Sequence, residues 1–372
     1  MKTKIGWKHL DGEVDRIRKD ASAYDKNWDI AASERQFNLI SGRSVVAVGD
    51  EALRVRRGKA WAIGFEGPEW RRSPDTWSCT RGPDDTLFVY SLRSLEENVY
   101  GRIHRVDGAG CTLLNDLAPP RSYARMALSP EGLLLFGGCG PARSGESAPK
   151  SDIFLLKGSK WKQLAEKGPP GRKDGAFVGT RRGALLWGGV NAKGETLTDC
   201  WSFHDGAWHR LPSAAGERGE LPVQGFGIPA AIALDDDKIL SFAFRDGAAV
   251  ATLWDGARWR VIAELEPLPS KYGPTYTQRI AIDLARKALV NDTPEANVLG
   301  ADGFVHQSEV RHILEADLSG LLAEVSAIPF AAAAPAKKAT AKKATAKKSE
   351  AVTGAKRSVP ITRGPHQRPR LR

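Results

Sequence analysis

Little in this chain can staple or anchor it. Of 372 residues only four are cysteine, Cys79, Cys111, Cys139 and Cys200, and they show no paired spacing. That excludes a disulfide framework and fits a reducing compartment. No apolar run approaches the roughly 18 residues of a membrane span. The opening MKTKIGWKHL lacks the apolar core of a secretory signal, so a soluble cytoplasmic protein is expected. Familiar catalytic patterns are missing as well: there is no H-E-x-x-H zinc helix, no phosphate loop ending in Gly-Lys-Ser/Thr and no nucleophile elbow. No catalytic residue, cofactor or metal site is therefore assigned.

Charge is abundant but unevenly placed. The formal net charge is +11, and residues 331 to 372 hold seven Lys and five Arg against Glu350 alone. The other 330 residues carry 43 basic and 43 acidic side chains and sum to zero. A neutral body and a polycationic tail are expected to do different things. The tail repeats AKKAT, has no aromatic residue and offers almost nothing apolar larger than Ala, so it cannot offset its ordering entropy and should be disordered alone.

The body is repetitive. A short strand, a Gly turn and a second strand recur around Gly58, Gly108, Gly158, Gly206, Gly256 and, weakly, Gly303, spaced 50, 50, 48, 50 and 47 residues apart. Glycine suits such turns because it enters the φ > 0 region without steric cost. Continuous apolar runs such as GLLLFGG at Gly132 and ALLWGG at Ala184 read as strands buried on both faces. An all-β chain of four-stranded units is expected over residues 37 to 308, six blades of a propeller, with seven left open. Residues 1 to 36 form an N-terminal segment: either Gly6 to Leu10 lends a closing strand, or Trp7 tucks beside a surface helix at Glu13 to Tyr24. Residues 309 to 330 read as a helix on the propeller or as closing strands of a further blade.

The Gly137-Gly138 and Gly188-Gly189 pairs each end an apolar strand. Each is followed by a loop, an aromatic, Phe154 or Phe203, and then Trp161 or Trp208. With GPPGR ending at Arg172, this arrangement resembles the kelch repeat in its bacterial form, within the superfamily that includes galactose-oxidase-like propellers. The resemblance implies a propeller fold and says little of activity. Copper oxidases of that superfamily need a Tyr, Cys and His constellation that cannot be placed here. The tail resembles the Lys/Ala-rich tails of linker histones.

Three constellations bear on function. Lys337, Lys338, Lys342, Lys343, Lys347, Lys348 and Lys356, with Arg357, Arg363, Arg368, Arg370 and Arg372, can pair with phosphates and release counterions, so nucleic acid, DNA first, is the expected tail partner. A spacer or a lipid tether is the plain alternative. Arg121, Tyr123, Arg143, Arg172 and Lys173 lie in loops that a propeller gathers at its channel mouth, where they can hold a ligand or serve blade packing, the structural use weighing more. Cys200, His204 and His209 could approach a metal, but no fourth ligand is evident. A buried Cys beside two surface histidines is the expected state. The expected function is a non-enzymatic scaffold whose loop face binds a protein partner while the tail holds it near nucleic acid, in the cytoplasm or at the nucleoid. The alternative is a propeller enzyme acting on a small or carbohydrate-like substrate, with the tail as tether.

Overall fold

The structure is a computed structural model. It describes residues 3–6, 8–9, 28–32, 36–41, 44–49, 54–55, 61–62, 78–82, 86–95, 98–107, 110–142, 145–164, 167–213, 230–234, 237–245, 248–267, 279–283, 287–294, 298–299, 305–306 and 311–331. The chain divides into two units, Met1–Ala333 and Ala334–Arg372, and the described residues all belong to the first.

Among the described residues six sheets of four or five strands follow one another along the chain, with two short two-stranded ribbons beside them. The third is representative: Arg125–Ser129, Gly132–Phe136, Ile153–Lys157 and Lys160–Gln163 pair in sequence order, all antiparallel. The second and fourth repeat this plan, from Ser78–Arg81 to Gly110–Ala118 and from Ala176–Thr180 to Ala207–Leu211. The fifth runs from Ala230–Ala233 to Trp259–Leu265, and Thr3–Ile5 adds to its outer edge as a parallel fifth strand. In the first sheet, Trp28–Ala32, Gln36–Ser41 and Ser44–Gly49 pair in order, and Arg54–Val55 and Trp61–Ala62 both pair with Ser44–Gly49.

The sixth sheet draws on both ends of the body. Arg279–Asp283, Ala288–Pro294 and Arg311–Asp317 come from the C-terminal side, and Lys8–His9 supplies the fourth strand. Paired strands among the described residues thus reach from Thr3 to Asp317. The first strands of successive sheets lie side by side, and Arg279–Asp283 lies against Trp28–Ala32, which in turn lies against Ser78–Arg81. This antiparallel four-stranded architecture fits a β-propeller.

Packing follows the alternation of side chains along each strand. Leu133 and Leu135 of the third sheet's second strand join Tyr90, Ile103 and Ala118 of the second sheet. Leu134 and Phe136, one step out of phase, meet Phe177, Leu186 and Phe203 of the fourth. A strand packed on both faces has to be apolar throughout, which explains the near-continuous runs. On the outer strands Trp161 and Trp208, half-buried, and Trp259, buried, all pack back on the preceding sheet.

The turn before each of those tryptophans is where glycine is required. Gly158, Gly206 and Gly256 have φ of 61°, 71° and 98° in equivalent hairpins between third and fourth strands. Gly108 falls between the paired strands Asn98–Asp107 and Gly110–Ala118 and, like Gly58, lies outside the described residues. Gly303 also lies outside them, but its setting differs from the repeat reading. The strands around it, Val298–Leu299 and Val305–His306, form a separate ribbon between the sixth sheet's second and third strands. The sixth sheet has no third-to-fourth hairpin because Lys8–His9 fills that place.

Within residues 309 to 330, read as a helix or as closing strands, residues 311 to 317 form a strand in which Leu314 and Ala316 are buried and Asp317 is exposed. A helix, α1 (Ser319–Ala327), follows and buries Leu321 and Val325, four residues apart, against Leu240, Leu253 and Leu289. Lys238, 1% exposed, donates from Nζ to the carbonyls of Val325 and Ile328, both at 2.7 Å. A cation at these last carbonyls also suits the negative end of the helix dipole. Beyond the helix, Ala331 N–H bonds Asp255 O at 2.7 Å, beside the third-to-fourth turn of the fifth sheet. Among the described residues no helix is long and apolar enough to cross a membrane.

Candidate functional site

Of the loop cations singled out from sequence, Arg121, Arg172 and Lys173 lie at one end of the third and fourth sheets, where first strands begin and second strands end. Two of them turn out to be brackets within a sheet. Arg121, four residues before its first strand, binds Asp152, one residue before the third strand, at 2.5 Å. Arg172 repeats the relation with Asp199: Nη1 and Nη2 each lie 2.7 Å from a separate carboxylate oxygen. Nη1 also donates to Gly188 O at 2.8 Å, and Nε to Pro170 O at 3.2 Å. At 1% exposure, Arg172 is spent on the fold.

Burial works against ionisation of Asp199, but the Arg172 guanidinium, with Trp201 Nε1 at 2.6 Å, outweighs it and holds the carboxyl below its usual range. Tyr90 plays a comparable part from the second sheet. Its buried hydroxyl donates toward Pro119 O and Arg121 O and accepts from Arg121 N–H at 2.8 Å, and burial pushes the phenol well above its ordinary value. It fixes the crossover into the third sheet. The double-glycine turns make these approaches possible: a Cβ on Gly138 would overlap Ser122 O. Gly138 N–H donates to Arg172 O at 2.9 Å, tying the third sheet's loop to the fourth's.

The remaining residues at this end face outward to a greater degree. Tyr123 and Asp174, each two residues before a first strand, have φ of 56° and 58°, a region non-glycine residues seldom occupy. Lys173 Nζ lies 5.2 Å from the Tyr123 ring centroid, so a cation and an aromatic from successive sheets meet, both half-buried. Arg125 reaches across to Asp174 at 2.9 Å. Of the five residues read as a mouth site, then, Tyr123 and Lys173 come together, while Arg121 and Arg172 are held within their own sheets. Arg143 lies outside the described residues. So do all twelve basic residues of the tail.

Cys200, His204 and His209 do not converge on a common point. Cys200 is fully buried, and burial pushes its thiol up to about 12. His204 and His209 stack at 4.0 Å with planes 7° apart nearer the turn of the hairpin, and His204 Nδ1 is 3.0 Å from Asp205. Among the described residues no group of three or more His, Cys, Asp or Glu is placed to hold a metal ion. Asp152, Asp199 and Tyr90 were not read from sequence. The signal for the aspartates was present, since Ser151-Asp152-Ile153-Phe154 and Thr198-Asp199-Cys200-Trp201 open equivalent strands.

No family model and no curated protein matches the chain. Among solved structures, the one titled "Structure of YjhT" is similar in fold, with a TM-score of 0.50 and 12% sequence identity. The likeness covers 76% of this chain and 93% of that one.

Proposed function

We propose that this protein is a six-bladed kelch-type propeller acting as an interaction scaffold. One loop face binds a protein partner, and the basic tail gives sequence-independent association with nucleic acid. Six-blade closure is supported by the unbroken circuit of first strands and by Lys8–His9 completing the last sheet. The kelch assignment rests on the repeated double glycine and on the Arg121–Asp152 and Arg172–Asp199 brackets at equivalent positions.

The observation that carries the functional reading is the partition of charge. The whole excess of +11 lies in the last 42 residues, and the body sums to zero. Twelve cations on such a segment suit phosphate neutralisation, whatever the base sequence. The loop end of the third and fourth sheets supplies the second half of the reading. Its buried arginines stiffen the loops, and Tyr123 and Lys173 offer an amphipathic patch of a kind favoured at protein interfaces.

The test is an affinity capture with the full chain, a chain ending at residue 330 and the full chain carrying Lys173→Glu, scored for both protein and nucleic acid. Truncation should sharply reduce captured nucleic acid and keep a specific protein; Lys173→Glu should lose the protein and keep the nucleic acid. A protein lost only with the tail would overturn the face assignment. Turnover of a small or carbohydrate-like substrate at the loop end would favour an enzyme instead.

A further inference from the structure

We propose that the groove between the outer edges of the third and fourth sheets is a second contact for nucleic-acid phosphates, working beside the tail. The inference rests on the reading that the chain binds nucleic acid, and it places part of that binding on the folded body.

The register of the third sheet puts Lys157 directly opposite Lys160, and Lys162 opposite Leu155. Residues opposed in this way share a face, so the three lysines lie on one side of the sheet, and Trp161 points to the other. Leu155 packs toward the fourth sheet, which sets the lysine face there as well. From the facing side, Arg210 lies opposite Trp201 and two residues from Trp208, and both tryptophans pack toward the third sheet. Lys157, Lys160, Lys162 and Arg210 are all exposed. Four cations therefore rim one groove.

Among the described residues no internal partner accounts for this grouping. Two like charges directly opposite on neighbouring strands destabilise a hairpin. Among the described residues none of the four forms a salt bridge. Arg210 meets only the Trp201 ring, at 6.0 Å. The fifth sheet gives the contrast: Arg260, the equivalent of Lys162, is neutralised by the buried Asp255. A local rule is broken in the third sheet without an internal gain, which points to an external anion.

The geometry suits a phosphate backbone. Lys160 and Lys162 are about 6.8 Å apart along an extended strand, so neighbouring cations on one face are presented together to a densely charged phosphate backbone. The neutral sum of the body conceals this strip because net charge does not record how the charges are distributed.

The test compares the full chain with full chains carrying Lys157→Gln, Lys160→Gln and Lys162→Gln together, or Gln at the six lysines from Lys337 to Lys348. Binding of a labelled duplex of about 30 base pairs is followed over a range of salt. The groove variant should lower the slope of log affinity against log salt by about 3, one for each phosphate no longer neutralised. Lys160→Gln alone should lower it by about 1, and decides the matter if the triple change disturbs the fold. Wild-type slope and affinity in the groove variant would overturn the proposal while leaving the tail reading intact. An unchanged slope in the tail variant would overturn the tail reading and leave the groove standing. Displacement of the duplex by phosphatidylserine vesicles from the wild type but not from the groove variant would reassign the groove to lipid and overturn its nucleic-acid role.

Discussion

Arg172 and Asp199 face each other through two parallel hydrogen bonds of 2.7 Å, one residue preceding the first strand of the fourth sheet and the other its third. The pair closes the sheet's loop end from within. Arg172→Ala would leave the Asp199 carboxylate, 12% exposed, without its countercharge. The expected cost is about 3–5 kcal/mol, typical of breaking a buried pair. Denaturant unfolding should show a lowered midpoint with an unchanged slope. Arg121→Ala, whose guanidinium is 15% exposed, should cost less.

The same pair makes stability depend on pH. The carboxyl of Asp199 is held below its usual range, so its contribution is fully present above the unfolded value of about 3.9. It is lost as pH falls through the lower folded value. His104 acts in a higher window. Burial, with Arg102 nearby, lowers its imidazole to about 4, so its contribution is complete above about 6.5 and declines as pH falls toward 4. Unfolding free energies measured between these limits should fall less steeply in His104→Leu than in the wild type. Parallel curves would contradict the burial of a neutral His104.

Trp208 lies edge-on to Phe136 at 5.2 Å and to Phe203 at 5.1 Å, bridging two sheets. Trp208→Ala should cost about 3–5 kcal/mol. Trp161→Ala should cost a similar amount, since its ring packs on the second sheet and its Nε1 donates to Asn115 Oδ1 at 2.8 Å. Chemical denaturation of the two variants checks both values. A change within 1 kcal/mol would argue against inter-sheet packing by these rings.

The glycine turns and the apolar second strands were legible in the sequence because each reflects a constraint confined to a few neighbouring residues. Gly158, Gly206 and Gly256 need φ > 0, and Leu133 to Phe136 is packed on both faces. What escaped depends on partners far apart in the chain. Lys238 bonds carbonyls 87 and 90 residues away, and no local pattern shows this. For residues 309 to 330 the sequence left helix and closing strands open: the leucines of the helix continue the apolar pattern of the strand Arg311–Asp317, whose own alternation, with Leu314 and Ala316 buried, has a period of two. At the candidate site the cations were visible as residue types. Their division into internal brackets and outward residues was set by Asp152 and Asp199.

Lys238 also gives a prediction of its own. Lys238→Met removes the donor to two carbonyls and should destabilise the protein by about 1.5–3 kcal/mol, the range for a hydrogen bond to a charged group. Amide exchange in Leu321 to Val325 should accelerate more than in the fourth sheet. Equal protection in both places would mean that the helix is held by Leu321 and Val325 alone.

The central claim, a neutral propeller made into a nucleic-acid-associated scaffold by its charge-bearing tail, is tested most directly by salt titration of duplex binding. Full-length protein should bind duplexes of unrelated sequence equally. If about 6–10 phosphates are engaged, affinity should fall about 10³ to 10⁵-fold between about 50 and 200 mM salt. Binding that ignores salt, that prefers one sequence strongly, or that is missing at the lower salt would contradict the account.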